Sequence, residues 1–128
     1  MSEPTEYGDP LTKPFWEAAT RHELVVQRCT SCGNHQFYPR PMCLECRAQG
    51  LEWVQVGGQA TVYSKTTVHL QIDPALEPPY VAALVDLDEG PRLATNIVNG
   101  DAEIGDRVRL TWRDRDDAPP LPVFEPIA

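Results

Sequence analysis

Four cysteines fall in two pairs, Cys29-Thr30-Ser31-Cys32 and Cys43-Leu44-Glu45-Cys46, with ten residues between the pairs and no fifth cysteine anywhere in the chain. Two residues between cysteines let both thiolates face one ion while the intervening backbone N–H groups turn in toward the sulfurs. Two such pairs therefore build one closed tetrahedral shell. Zn²⁺ is the expected occupant, although a rubredoxin-type iron would have the same S₄ geometry. Two disulfides are the competing arrangement. The opening residues Met1-Ser2-Glu3-Pro4 have neither a basic region nor an apolar stretch of the secretory kind, which points to the reducing cytoplasm and to free thiolates. A redox pair would be single rather than doubled. With no open coordination position, the metal is expected to be structural and not to touch substrate. Gly33, directly after Cys32, suits the positive φ of a knuckle turn, whereas Arg47, at the matching place after Cys46, does not.

The elements that must position this site are short. Residues 1–10 read as a poorly ordered lead-in. Thr12-Lys13-Pro14-Phe15-Trp16-Glu17 then reads as a helix start, with Thr12 as N-cap, an early proline and an acid near the positive end of the dipole, in a helix of about ten residues. Phe15, Ala18 and Ala19 make an apolar stripe. Trp16 lies beside it, so the helix suits either core packing or contact with a partner. A strand over 24–28 enters the first knuckle, and Phe37-Tyr38-Pro39 leads toward the second, giving a zinc ribbon whose folding energy the metal must supply. Strand-like stretches follow at 51–56, 59–70, 80–87, 92–98, 107–113 and 121–124. Gly57-Gly58, Asp88-Glu89-Gly90-Pro91 and residues 99–106 separate them. Short strands with this spacing predict a small closed barrel, because closure removes exposed edges. The expected fold is mainly β: a short N-terminal helix (1–23 with its lead-in), a ribbon (24–50) and a barrel domain (51–128).

Charge narrows the function. Residues 1–28, 29–56 and 57–128 carry net −2, 0 and −6 within a total of −8. So acidic a C-terminal half repels phosphate backbones, and no nucleic-acid partner is expected, although zinc ribbons and small barrels with stacking aromatics such as Trp53, Tyr63 and Trp112 often bind single strands. Arg107, Arg109 and Arg113 alternate along one strand, bracketed by Asp106, Asp114, Asp116 and Asp117, and read as a solvated face. No apolar run approaches the ~18 residues of a membrane span. His22, His35 and His69 have no nucleophile near them in sequence, and Asp86 and Asp88 read as a solvated hairpin end rather than an acid/base pair. No phosphate or dinucleotide fingerprint is present, and the chain is expected not to be catalytic alone.

The ordered set of a Phe-Trp helix, Cys-x-x-Cys-Gly, Tyr38-Pro39-Arg40, a second Cys-x-x-Cys, Trp53, Gly58 before Thr61-Val62-Tyr63-Ser64, Pro79-Tyr80-Val81 and Leu121-Pro122-Val123-Phe124 resembles the family called domain of unknown function 35, over about residues 11–126. The resemblance implies a rubredoxin-like zinc ribbon followed by an acyl-CoA-associated OB fold. It also implies an accessory role beside a thiolase-superfamily enzyme, such as the lipid-transfer-protein-like aldolases of steroid side-chain degradation, in a hetero-oligomer that shares the acyl-CoA. A CoA ester or a partner needs cations beside apolar surface. Arg28, Arg40 and Arg47 flank the cysteines and could either balance the −2 charge of a Zn(Cys)₄ centre or make that contact, with Phe37, Tyr38 and Pro41 adding flat apolar surface. Arg40 is the first choice because the family places an arginine there. The expected contact set is Arg40, Arg28, Arg47, Tyr38, Phe15 and Trp16.

Overall fold

The computed structural model describes residues 10–71, 77–116 and 118–127. The lead-in expected over residues 1–10 lies outside these except for Pro10, as does Asp117. Helix α1 (Lys13–Ala19) is followed by β1 (Val25–Cys29), β2 (His35–Gln36), β3 (Leu51–Gln55), β4 (Gln59–Val68), β5 (Tyr80–Leu87), β6 (Arg92–Ile97), β7 (Arg107–Arg113) and β8 (Leu121–Pro126). The first three strands form a sheet in the order β2-β1-β3, and the last five close into a barrel in the order β4-β5-β6-β8-β7. The fold is thus mainly β, with one short helix, a ribbon and an OB-like barrel.

The helix is seven residues long rather than about ten. Thr12 is its N-cap but makes no side-chain capping bond, and Glu17 falls beyond the first turn. Its stability therefore comes from burial. Phe15, Ala18 and Ala19 all sit in the core, and an isolated helix this short would not persist in water.

β3 pairs with β1 through five residues, from Val25↔Gln55 to Cys29↔Leu51. A division at residue 50 would assign this strand to the barrel, but its pairing puts it in the ribbon sheet. Without it, β1 would be left with only the two-residue β2 as a neighbour. The chain then turns at Gly58, whose φ of +86° favours glycine and where a Cβ would stand 2.8 Å from that of Leu110. Beyond this pivot Ala60 and Val62 point inward, and the alternation resets at a bulge between Val62 and Ser64.

One apolar cluster joins the two sheets. Phe15, Leu24, Val26 and Val56 from the helix and ribbon share it with Val62, Val85, Leu93, Val108 and Phe124 from the barrel. β8 makes the closure, antiparallel to β7 over six pairs but paired with β6 only at Ile97↔Phe124, reinforced by the Val98 N–H on the Phe124 carbonyl (2.8 Å). Away from that point, the Thr95 hydroxyl bridges to the Pro122 carbonyl (3.0 Å). No described helix is long and apolar enough to cross a membrane.

Candidate functional site

The two knuckles are built alike. Gly33 N–H donates to the Cys29 carbonyl and Arg47 N–H to the Cys43 carbonyl, both at 2.9 Å. Cys29 N–H reaches Asn34 and Cys43 N–H reaches Ala48. Ser31 N–H and Glu45 N–H point at the sulfurs of Cys29 and Cys43, each at 3.4 Å. Gly33 has the expected positive φ, +78°. Arg47 has one too, +66°, against expectation. The repeated hydrogen bonding demands the same left-handed turn in both knuckles, and the second accepts the Cβ penalty of a non-glycine residue there.

The four sulfurs lie within 4.8 Å of one another, with Cys29···Cys46 at 3.5 Å and Cys32···Cys43 at 3.6 Å. These separations are far beyond a covalent S–S bond of about 2.05 Å. They match the S···S edge of about 3.8 Å that a tetrahedron with Zn–S near 2.3 Å requires. Cys29 and Cys43 are fully buried and Cys32 and Cys46 are exposed, so the shell is closed on its protein side and open to solvent only at its back. Without the metal the thiols are unequal. The Cys46 and Glu45 N–H groups, opposed by burial, bring Cys43 down to about 6. Cys32 is pushed up to about 12: the Asn34 N–H lowers it, but burial and the neighbouring cysteines outweigh that. A divalent cation that converts all four to thiolates resolves this competition. The site fits structural zinc held by Cys29, Cys32, Cys43 and Cys46.

Around the centre, Arg28 is committed to Glu52 on β3 at 2.8 Å. Arg40 and Arg47 are exposed and, among the described residues, their guanidinium groups have no hydrogen-bond or ion-pair partner. Phe15 is 5% exposed and belongs to the core. Trp16 is half-buried and meets Phe15 edge-on, with ring centroids 4.9 Å apart. Phe15 in turn contacts Phe37 and Phe37 contacts Tyr38. These four aromatics line a groove of about 270 Å³ closed on the barrel side by β6 and by Leu121 and Pro122, at the place where β6 and β8 diverge. Sequence reasoning placed Phe15 and Trp16 together; both line the groove, Phe15 from within the core and Trp16 from its half-buried rim.

Two residues escaped that reasoning. Gln27 on β1 and Gln36 on β2 are directly opposed, and both are buried. Gln27 Oε1 accepts from the Arg40 N–H (2.8 Å) and from Gln36 Nε2 (3.0 Å), while Gln27 Nε2 donates to the Arg40 carbonyl (2.9 Å). Gln36 Nε2 also donates to the Met42 carbonyl (3.1 Å), and its Oε1 accepts from the Leu44 N–H (3.0 Å). The signal that could have found them is polar residues at positions a strand would bury.

The barrel offers no comparable site among the described residues. Asp86 is bound by Arg92 (2.7 Å) and Asp88 is held in a two-pronged bond by Arg107 (2.7 and 2.8 Å), so the two carboxylates serve separate ion pairs. Arg109 is matched by Glu125 at 2.8 Å. Of the aromatics that could have stacked on bases, Tyr63 is 49% exposed but carries the Arg92 guanidinium 3.4 Å from its ring, Trp112 stacks on a parallel His22 ring whose Nε2 meets Asp114, and Trp53 packs against the core.

The model described as the rubredoxin-like zinc ribbon domain of ChsH2 matches residues 16–52, and that of the ChsH2 C-terminal OB-fold domain matches residues 53–113. A DUF35 domain-containing scaffold protein of Methanothermobacter thermautotrophicus is 37% identical over 73% of this chain and 74% of its own. A probable enoyl-CoA hydratase alpha subunit of Thermomonospora curvata is 43% identical over 88% of this chain. A 3-oxo-4,17-pregnadiene-20-carboxyl-CoA hydratase alpha subunit of Mycobacterium tuberculosis is 32% identical over 91%. This chain spans only 36% and 38% of those two subunits. In the solved structure described as the Ltp2-ChsH2(DUF35) aldolase, the matching chain is 39% identical, superposes with a TM-score of 0.86, and is covered over 97% of its length by 94% of this one.

Proposed function

The chain belongs to the DUF35 family of zinc-ribbon and OB-fold proteins, and on that premise we propose that it is a non-catalytic subunit of an acyl-CoA-processing enzyme, assembled with a thiolase-fold, lipid-transfer-protein-like partner that carries the reactive groups. The observation that carries this reading is the near end-to-end correspondence with one chain of an aldolase complex. The site chemistry agrees with it. The metal shell has four cysteines and no vacancy for substrate, and the candidate carboxylates of the barrel and His22 after the helix are tied up in ion pairs and stacking.

The relatives named as CoA-ester hydratase subunits suggest that the substrate is a CoA thioester, and one of them names a steroid-derived acyl group. In this reading the ribbon and the Trp16–Tyr38 groove face the partner near its acyl-CoA site. Arg40 and Arg47 reach outward with Tyr38 and Trp16, while Arg28 and Phe15 support them from behind, one paired with Glu52 and the other in the core.

The test is reconstitution. The chain alone should turn over no acyl-CoA. Mixed with the Ltp2-like subunit from the same source, it should co-elute on gel filtration and raise carbon–carbon cleavage of a 3-hydroxyacyl-CoA ester. Turnover by this chain alone, or an unchanged partner that elutes separately, would remove the reading.

A further inference from the structure

The 38–44 segment is an irregular loop, yet its backbone is held at three places by side chains from the sheet beneath it. Gln27 engages both the N–H and the carbonyl of Arg40, as a neighbouring strand would, and Gln36 takes the Met42 carbonyl and the Leu44 N–H. The two amides are joined to each other, and every one of these bonds lies between 2.8 and 3.1 Å. Burying two glutamine side chains costs stability unless each polar atom is paired. Here Gln27 and Gln36 spend their hydrogen-bonding capacity on one loop.

What the loop presents is unusual for this chain. Tyr38, Met42 and Leu44 are 50%, 38% and 61% exposed. Arg40, between them, and Arg47, on the adjoining knuckle, are the two arginines without a side-chain partner among the described residues, although the chain as a whole carries an excess of eight acidic groups. Arg28, Arg92, Arg107 and Arg109, by contrast, are each paired with an acid of the chain. Tyrosine, methionine and arginine on a rigid, exposed surface have the composition of an interface core rather than of a solvated face. Their holding in advance lowers the ordering cost of association.

We infer that residues 38–44, clamped by Gln27 and Gln36, form a preorganised docking epitope for the partner enzyme subunit, whose complementary surface is an apolar pocket for Met42 and Leu44 rimmed by carboxylates that pair with Arg40 and Arg47. Gln27 and Gln36 are positioning residues in this scheme: they touch the partner only through the loop they hold. The inference rests on the accessory-subunit reading above and adds the surface and its chemistry.

The experiment titrates the Ltp2-like aldolase subunit from the same source with the zinc-loaded chain and its variants, following binding by calorimetry and zinc by atomic absorption. Arg40→Glu and Leu44→Ser are surface changes that keep the zinc, and each should weaken association about tenfold or more, the hot-spot range. Arg109→Ala, on the barrel, should leave it unchanged. Arg40→Ala should also flatten the salt dependence. Gln27→Leu should weaken binding, and a double-mutant cycle should couple it to Arg40→Ala but not to Arg109→Ala, a specificity that general destabilisation would not produce. If Gln27→Leu sheds its zinc, the two surface variants still decide the matter. A complex that forms with wild-type affinity in Arg40→Glu and Leu44→Ser overturns the epitope and leaves the subunit reading standing. Absence of any complex with the wild-type chain overturns both. Saturable binding of free CoA that is lost in Arg40→Glu, with subunit affinity intact, would reassign Arg40 to a ligand phosphate and also reject the epitope.

Discussion

Ribbon and barrel hold short strands together by opposite means. In the barrel, five strands close around side chains that solvent barely reaches, Val62, Val85, Val108, Val123 and Phe124 all being at most 1% exposed, and the surface cations are matched by neighbouring acids. In the ribbon, β2 has two residues, and a sulfur tetrahedron and two glutamine amides stand where a core would be. Hydrophobic burial is non-directional and satisfied wherever apolar area is removed from water, while metal bonds and amide hydrogen bonds fix direction. The barrel is therefore suited to carry stability and the ribbon to present a surface in a defined shape. That division can be broken experimentally, beginning where the effect is largest.

Removing the metal should separate the two regions. Structural zinc contributes roughly 10–16 kcal/mol in isolated finger peptides, comparable to the whole stability of a typical domain, about 5–15 kcal/mol. Cys32→Ser, or a strong chelator, should unfold residues 24–56 while leaving the barrel strands partly formed. Limited proteolysis should cut within the ribbon first, and zinc content should fall from about one ion per chain to near zero. Simultaneous loss of barrel structure in hydrogen exchange would mean that the shared core through Leu24, Val26 and Val56 makes the two regions one cooperative unit.

The barrel's counterpart is Phe124, fully buried and paired across β7 at Leu110 and across β6 at Ile97. Phe124→Ala should cost about 3–5 kcal/mol through lost transfer energy and the cavity left behind. Denaturant melts should show it, and zinc content should stay near one per chain. A variant that lost its metal along with its barrel would contradict the division of labour.

How far this organisation was legible in advance differs between the regions for a physical reason. Four cysteines at fixed spacing point to one tetrahedral metal centre, and the alternation of β6 announces a half-buried strand almost residue by residue. The placement of β3 was not legible, because Leu51–Gln55 is equally compatible with either sheet and only its register against β1 assigns it. The left-handed Arg47 was missed because local preference argued against it while the hydrogen-bond repeat of the knuckle required it. Gln27 and Gln36 stand out only as polar residues at positions a strand would bury; that they hold backbone groups of the 40–44 loop is not recorded in any side-chain pattern.

The joint between the regions is next in magnitude. At Gly58, φ is +86° and a Cβ would press on Leu110 at 2.8 Å. Gly58→Ala should destabilise by about 1–3 kcal/mol, from left-handed backbone and from overpacking together. Adding Leu110→Ala should not rescue it, because the atom pressed on is the Leu110 Cβ, which alanine keeps. If the single variant melts like wild type, the pivot is not rigid.

The smallest effect tests whether the barrel's paired charges stabilise it at all. Arg107 on β7 reaches Asp88 with both prongs and also touches Thr61 and Gln59 on β4, so it ties three parts of the closing seam together. The Arg107 guanidinium, chiefly through its hydrogen bonds, holds the Asp88 carboxyl below the usual carboxylate range against the opposing pull of burial. A depressed folded value means that the contribution is present above the unfolded pKa near 3.9 and disappears as pH falls through the lower folded value. Both side chains are nearly half exposed, at 44% and 48%, so screening keeps the effect small. Asp88→Asn should accordingly lower Tm slightly at pH 7 in low salt, by less at 1 M salt, and not at all once both proteins are below the folded pKa of Asp88. Because Arg107 keeps its bonds to β4 in that variant, any difference isolates the charge pair from the staple. A gap in Tm that persists undiminished at pH 2 would show that Asp88 acts through shape alone, and that the barrel's ion pairs neutralise its surface without stabilising its fold.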